Sequence, residues 1–259
     1  MCLIAIATRI HPRYPLIIAA NRDEFYHRPT SPLAFWKDHP NILAGRDLEQ
    51  NGTWLGITKT GRIAAITNFR NPASMDSQAP SRGLLVSNFL ASDPRPEDYL
   101  KTIKNSGKTY NGFNLVVGDM NQLWWYSNKK NDIVKIKPGV HAISNHLMDT
   151  PWPKTQKTMS RIQNICRQNS AIDPKDIFLL LADTNRPPDD KLPDTGVGLE
   201  WERILSSVFV SSDIYGTRSS AVILVDHSGQ MTFAERTFKP HTDIPDDQET
   251  REVNIKVPV

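Results

Sequence analysis

The chain has 259 residues, 39% hydrophobic and 23% charged, with 31 Lys and Arg against 28 Asp and Glu. That is an ordinary globular composition, long enough for a substantial core, and a net charge of +3 carried on scattered basic residues lacks the basic stripe of a nucleic-acid binder. No stretch approaches the roughly 20 apolar residues of a membrane helix. Two cysteines and no export signal argue against a disulfide framework and for a cytoplasmic chain.

Leu3 to Thr8 and Leu16 to Asn21 are short apolar runs separated by His11 to Pro15, which predicts two strands and a turn. Asn51-Gly52 and Thr60-Gly61 mark further turns around strands Thr53 to Thr58 and Arg62 to Asn68, so the first 70 residues predict an antiparallel sheet of hairpins. The period then changes. Ser81 is placed to cap a helix carrying Leu84, Leu85, Phe89 and Leu90, and a second begins near Pro96. Strands return at Phe113 to Gly118, Leu123 to Tyr126, Ile133 to Ile136 and Val140 to Ser144. A helix over Pro153 to Asn169 sets Met159, Ile162, Ile165 and Cys166 on one face, and Asp173 caps another. Asn185 to Gly198 reads as a loop, and Val208 to Val210, Ala221 to Val225 and Met231 to Arg236 as the last strands. The order of elements predicts mostly antiparallel sheets covered by helices in one domain over 1–259, with a peripheral tail from about 240.

Cys2 is the residue around which chemistry is expected. If Met1 is removed, the thiol and a free α-amine share one residue, with reference pKa values of about 8.5 and about 7.7–8.0. The amine then suits the role of base for its own thiol. The plainer reading is a small apolar residue opening a buried strand. The second strand passes abruptly into Asn21-Arg22-Asp23-Glu24, and antiparallel pairing returns these residues to Cys2. Arg22 is suited to favour the thiolate and Asp23 to orient the amine. The alternative is a solvated charged turn. Because the two are adjacent, they point to opposite faces of a strand, so one serves the site and the other the scaffold.

Met1 to Ile4, Ala20-Asn-Arg-Asp-Glu24, Gly52-Thr-Trp-Leu-Gly56, Ile66-Thr-Asn-Phe-Arg70, Ile143-Ser-Asn145, Pro151-Trp-Pro-Lys154 and Tyr215-Gly-Thr-Arg-Ser219 occur in this order. Together they resemble the NRDE family, the group of the transport-and-Golgi-organisation protein 2 homologues. That family is similar to the N-terminal-nucleophile hydrolases with a cysteine nucleophile, such as bile-salt hydrolase and penicillin V acylase. The resemblance implies an α+β fold, a four-layer αββα sandwich. It implies Cys2 as nucleophile, Arg22 and Asp23 beside it, Asn68 and Asn145 as receivers of the oxyanion, and Arg218 close to the nucleophile. Asn21, Trp54 and Phe69 are the expected substrate contacts, although Asn21 and Glu24 also suit a supporting role. Asn68 and Asn145 read equally as turn residues, and Arg218 equally as an anion binder. Gly52 and Gly56 read as structural.

The seven histidines form no metal-ligand spacing, His141 and His146 being five apart, so no metal is expected. Either of these two is conceivable as an axial haem ligand. Cys166 reads as inert packing. Three functions compete. The first is an amidohydrolase or acyl hydrolase acting on a small non-peptide amide, ester or thioester. The second, implied by the resemblance, is a carrier of a hydrophobic ligand such as haem or an acyl-CoA, with no cofactor of its own. The third is a scaffold in which Cys2 is incidental.

Overall fold

The computed structural model describes residues 2–106, 109–168, 170–239 and 248–257. The chain opens with six strands: β1 (Cys2–Thr8), β2 (Leu16–Phe25), β3 (Thr30–Phe35), β4 (Ile42–Asp47), β5 (Leu55–Thr58) and β6 (Arg62–Asn68). Helices α1 (Gly83–Leu90) and α2 (Pro96–Asn105) follow, then β7 (Phe113–Asp119), β8 (Leu123–Ser127), β9 (Asp132–Lys135) and β10 (Gly139–Ile143). Helices α3 (Pro153–Arg167), α4 (Pro174–Leu181) and α5 (Leu199–Ile204) lead to β11 (Tyr215–Val225), β12 (Gln230–Phe238) and β13 (Gln248–Lys256).

The strands form two antiparallel sheets. One has the order β10-β1-β2-β11-β12-β13, and the other runs consecutively from β3 to β9. Alternation along β1 and β2 explains the layering. Cys2, Ile4, Ile6, Leu16, Ile18 and Ala20 belong to the core between the sheets, whereas Leu3, Ala5, Ala7, Ile17 and Ala19 pack with Ile162, Cys166, Ile177 and Phe178 of α3 and α4. Helices α1 and α2 pack on the second sheet, against β5 to β9. The result is the four-layer αββα sandwich, and Cys166 is buried in the outer helix–sheet layer. Among the described residues, no helix is long and apolar enough to cross a membrane.

The registers set three rows across the first sheet, all on its inter-sheet face. Ile6, Ile18, Ile223, Phe233 and Val253 form an apolar row; Ile4, Ala20, Ala221, Glu235 and Arg251 form a mixed one. Cys2, Arg22, Ser219, Thr237 and Glu249 form a polar row at the end of the sheet. The core thus gives way to chemistry within two rows.

Several expectations are corrected. Ser81 offers no side-chain cap; α1 starts at Gly83 after Arg82, and only the Ser81 carbonyl receives Leu84 N–H. Asp173 does cap α4, accepting from Lys175 N at 2.9 Å. Asn169 lies outside the described residues. Val208 to Val210 is not a strand, because its N–H groups are taken elsewhere: Phe209 donates to the Asp183 carbonyl at 2.8 Å and Val210 to Thr217 Oγ1 at 2.9 Å. The tail is more than peripheral. Its last part is β13, an edge strand in register with β12 from Gln248 to Lys256, with Val253 and Ile255 packed on the core. Strands β3 and β4 and helix α5 are additional elements. Pro32 fits β3 because that strand is at an edge and bulged between Ser31 and Ala34.

Candidate active site around Cys2

The hairpin of β1 and β2 pairs Cys2 with Arg22 and Leu3 with Asn21. Cys2 is 7% exposed and lines an open cleft of about 480 Å³ at the polar end of the two sheets. Arg22, Ser219 and Glu249 line it from the first sheet, Asn68 and Arg46 from the second, and Trp54 from the segment just before β5. Arg82 and Gly83 at the start of α1 form part of its lip. That lip depends on a backbone contact. A Cβ on Gly52 would come within 2.6 Å of the Gly83 carbonyl carbon, so glycine allows the segment before β5 to touch the helix start.

The lining includes five arginines and six carboxylates. Arg22, Glu24, Arg28, Asp47 and Glu49 engage one another. Arg22 lies 3.6 Å from Asp47 and 3.9 Å from Glu24, and Arg28 donates to Asp47 at 2.6 Å. Burial works to raise the Glu24 carboxyl, yet the N-terminal charge, the Phe25 N–H, Arg22 and Arg28 together outweigh it and hold the group below its ordinary value. Arg82 donates to the Gly112 carbonyl at 3.1 Å. Burial pushes the Cys2 thiol up and the Asp23 and Glu24 carboxylates add to this, against the N-terminal charge and, less, Arg22. Glu235, 3% exposed, accepts from Leu33 N at 2.6 Å, and burial pushes its carboxyl up to about 7.

Behind the first sheet the surroundings differ. Asp23, 1% exposed, accepts from Thr217 Oγ1 at 2.8 Å, and its backbone carbonyl accepts from Tyr215 Oη at 2.8 Å. Arg70 and Glu202 form an ion pair at 2.5 Å with both side chains 4% exposed. Lys154 is buried and donates to the Leu205 carbonyl at 2.8 Å. Burial pushes its ammonium down to about 8, with Asp23 foremost among the groups opposing this.

The structure brings most of the expected site residues together and redirects others. Cys2, Arg22, Asn68, Trp54 and Arg218 line the cleft, and Asp23 reaches its wall while its carboxylate is turned to the rear, onto Thr217. Arg218 sits at the bulge of β11, between Thr217 and Ser219, and its Nη1 donates to the carbonyls of Phe25, Tyr26 and Arg28 at 3.0–3.1 Å. It therefore braces the chain leaving β2. Asn145 is fully buried; its amide donates to the Asn68 carbonyl at 3.1 Å, and its oxygen accepts from Ser144 Oγ at 3.2 Å. Asn145 thus fixes Asn68 rather than lining the cleft.

Asn21, expected as a substrate contact, faces the helical layer. Its amide donates to Leu181 and Val208 carbonyls, each at 2.9 Å, and its oxygen accepts from Ser220 Oγ at 2.6 Å. Strand alternation turns it away from Cys2. Phe69, expected beside the substrate, instead packs at a tilt against His146 with ring centroids 4.8 Å apart. His141 pairs with Asp149 at 2.7 Å, and neither His141 nor His146 is among the cleft-lining residues. Among the described residues, no group of three or more His, Cys, Asp or Glu is arranged to hold a metal. Met1 lies outside the described residues. Arg82, Glu235 and Glu202 were not anticipated. Arg70 and Lys154 stand inside quoted motifs, which was their one signal.

The family described as Transport and Golgi organisation 2 matches residues 1–240. The Transport and Golgi organization protein 2 homolog of Bos taurus is 38% identical over 262 residues, covering 92% of this chain and 93% of the relative. Among solved structures, the Caenorhabditis elegans ortholog of N-acylethanolamine-hydrolyzing acid amidase superposes with a TM-score of 0.52 at 9% identity, over 86% of this chain and 92% of that one. A mutant conjugated bile acid hydrolase from Clostridium perfringens gives 0.53 at 10% identity, over 100% and 99%. The fold is therefore hydrolase-like.

Proposed function

The chain belongs to the Transport and Golgi organisation 2 family, and from that premise and the cleft geometry we propose that it is an N-terminal-cysteine acyl hydrolase. Its substrate is a small non-peptide amide, ester or thioester. The observation that carries this reading is the placement of Cys2 at the wall of an open cleft, paired with Arg22 and in company with Asn68. A purely packing cysteine needs none of these neighbours. The two hydrolases of like fold, named for cleaving N-acylethanolamines and conjugated bile acids, add support by analogy.

Removal of Met1 frees the α-amine of Cys2. The amine takes the thiol proton as sulfur attacks the substrate carbonyl carbon, giving a tetrahedral oxyanion. Arg22 favours the thiolate, and Asn68, fixed by Asn145, donates to the oxyanion. Collapse breaks the bond to the leaving group, which receives the proton from the ammonium, and leaves a thioester on Cys2. Water then attacks, the amine takes its proton, and the carboxylic acid departs as the thiol is restored. The charged lining favours a ligand with a polar head over a wholly apolar one.

The test is intact-mass and peptide mapping of the Met1-free protein after exposure to a p-nitrophenyl acyl ester. The expected result is one acyl group on Cys2 that water removes with time, and none on the Cys2→Ala variant. Equal labelling of both proteins, or an unlabelled Cys2 in the Met1-free form, overturns the reading.

A further inference from the structure

A buried carboxyl group stands in the cleft well away from Cys2. Glu235 comes from β12, is 3% exposed and lines the cleft together with Ser31, Gly45 and Ser219. In the order β1-β2-β11-β12, three strand spacings of about 4.8 Å put Glu235 about 14 Å across the sheet from Cys2. Arg22 and Ser219, on the two strands between, line the cleft as well. The hydrolytic steps use no group so far from the sulfur.

The surroundings of Glu235 leave its charge unanswered. Its Oε1 accepts from Leu33 N at 2.6 Å, and the Ser219 hydroxyl stands beside the carboxyl. Both donors are neutral, and among the described residues Glu235 makes no ion pair. The arginines that face it are engaged elsewhere: Arg22 with Asp47 and Glu24, and Arg251 with Glu249 at 2.7 Å. Gly45, across the cleft on β4, leaves room for the other oxygen. A Cβ there would come within 3.2 Å of both Glu235 Oε2 and the Ser31 carbonyl, and no positive φ at Gly45 otherwise requires glycine. Glutamine in place of Glu235 would accept the same Leu33 N–H and bury no charge. A neutral donor from a ligand would be met as well by that amide. The carboxylate gains over it only when a cation arrives.

We propose that Glu235 anchors a second subsite of the cleft, which takes a protonated amine of the ligand. The inference rests on the reading of Cys2 as the reacting end of the cleft, and it narrows the substrate to an acyl compound carrying an ammonium group remote from the scissile carbonyl. The span sets the spacing. An extended chain advances about 3.5 Å in three bonds, so about eight carbons cover about 10 Å, and the contacts at the two ends supply the rest. The bond from an ammonium to a carboxylate is about twice as strong as one between neutral partners, which makes the subsite selective for charge.

The experiment follows alkylation of Cys2 by iodoacetamide in the Met1-free protein at about pH 8, where an alkyl amine is protonated. Peptide mapping separates Cys2 from Cys166. n-Octylammonium and n-octanol are added in parallel to the wild type and to Glu235→Gln. In the wild type the ammonium should protect Cys2 at about tenfold lower concentration than the alcohol; in Glu235→Gln the two should protect alike. Equal protection in the wild type, or a preference that survives in Glu235→Gln, overturns the proposal. Should the variant fail to fold or Cys2 resist alkylation, NMR of 13C-labelled glutamate in the wild type decides. The glutamate that titrates near pH 7 should move down by about one unit with octylammonium and stay with octanol; equal titrations overturn the subsite. An acyl adduct on Cys2 with no preference for the ammonium sinks this inference alone. A preference for the ammonium with no adduct on Cys2 sinks the hydrolase reading and leaves the amine subsite standing.

Discussion

The two faces of the sheet that carries Cys2 handle charge in opposite ways. On the cleft side, Arg22, Glu24, Arg28 and Asp47 form an extended ionic cluster, and Arg28 and Glu24 have side chains 24% and 22% exposed. On the rear, Arg70 and Glu202 are 4% exposed and Lys154 and Asp23 are equally sealed. Ion pairs open to water contribute little to stability and rearrange cheaply; sealed ones are costly to break. The cleft face is therefore free to rearrange, while the rear side holds Asp23 through Thr217 and Asn145 through Arg70.

The largest effect should come from breaking the sealed side. Arg70→Met leaves Glu202 buried without its cation and removes a donor to Asn145, so it should destabilise the protein by about 3–5 kcal/mol. Arg28→Met, on the open side, should cost no more than about 1 kcal/mol. Urea unfolding at pH 7 measures both. Equal losses would abolish the distinction between the faces.

A smaller, pH-dependent effect should appear at Glu235, where the cleft meets the core. Its carboxyl is raised in the folded protein to about 7, from 4.5, because burial disfavours the charge. A carboxyl raised on folding stabilises when protonated. Its contribution is complete below about pH 4.5 and is lost as pH rises through about 7. Glu235→Gln keeps an oxygen for Leu33 N–H and cannot ionise. The variant should therefore gain on the wild type between pH 5 and pH 8, by on the order of 2 kcal/mol. Urea midpoints at the two pH values supply the measurement, and a constant difference would show that Glu235 ionises without penalty.

How much of this was legible in the residues follows the same division. The β1–β2 hairpin was readable because its apolar runs are continuous and a proline-rich turn separates them, and the Cys2–Arg22 neighbourhood followed from the pairing. Strand β3 was hidden by Pro32 and its bulge, which erase the two-residue alternation. Strand β13 was hidden by Glu249, Arg251 and Glu252, charges that an edge strand tolerates and a sequence reader takes for a tail. The rear network was least legible. Lys154 and Glu202 look like solvated helix charges until α3 and α5 are laid against the sheet, because burial is a property of the fold and not of the window around a residue. Asn21 was misread for a related reason: it is adjacent in sequence to Arg22, and strand alternation sends the two to opposite layers.

The smallest stability effect and the greatest loss of chemistry should coincide at one atom. Cys2 is small, begins its strand and lines the cleft, so Cys2→Ser exchanges sulfur for oxygen where space and polar neighbours are at hand. The folded protein should lose no more than about 1 kcal/mol. A hydroxyl is a far weaker nucleophile than a thiol under the same amine, so acylation by the activated ester should fall below detection. Thermal unfolding and intact mass on one preparation test both halves. A serine variant that acylated as fast as the wild type would move the chemistry off the sulfur. A variant that unfolded outright would make Cys2 a packing residue and place the cleft on the sealed side of the comparison.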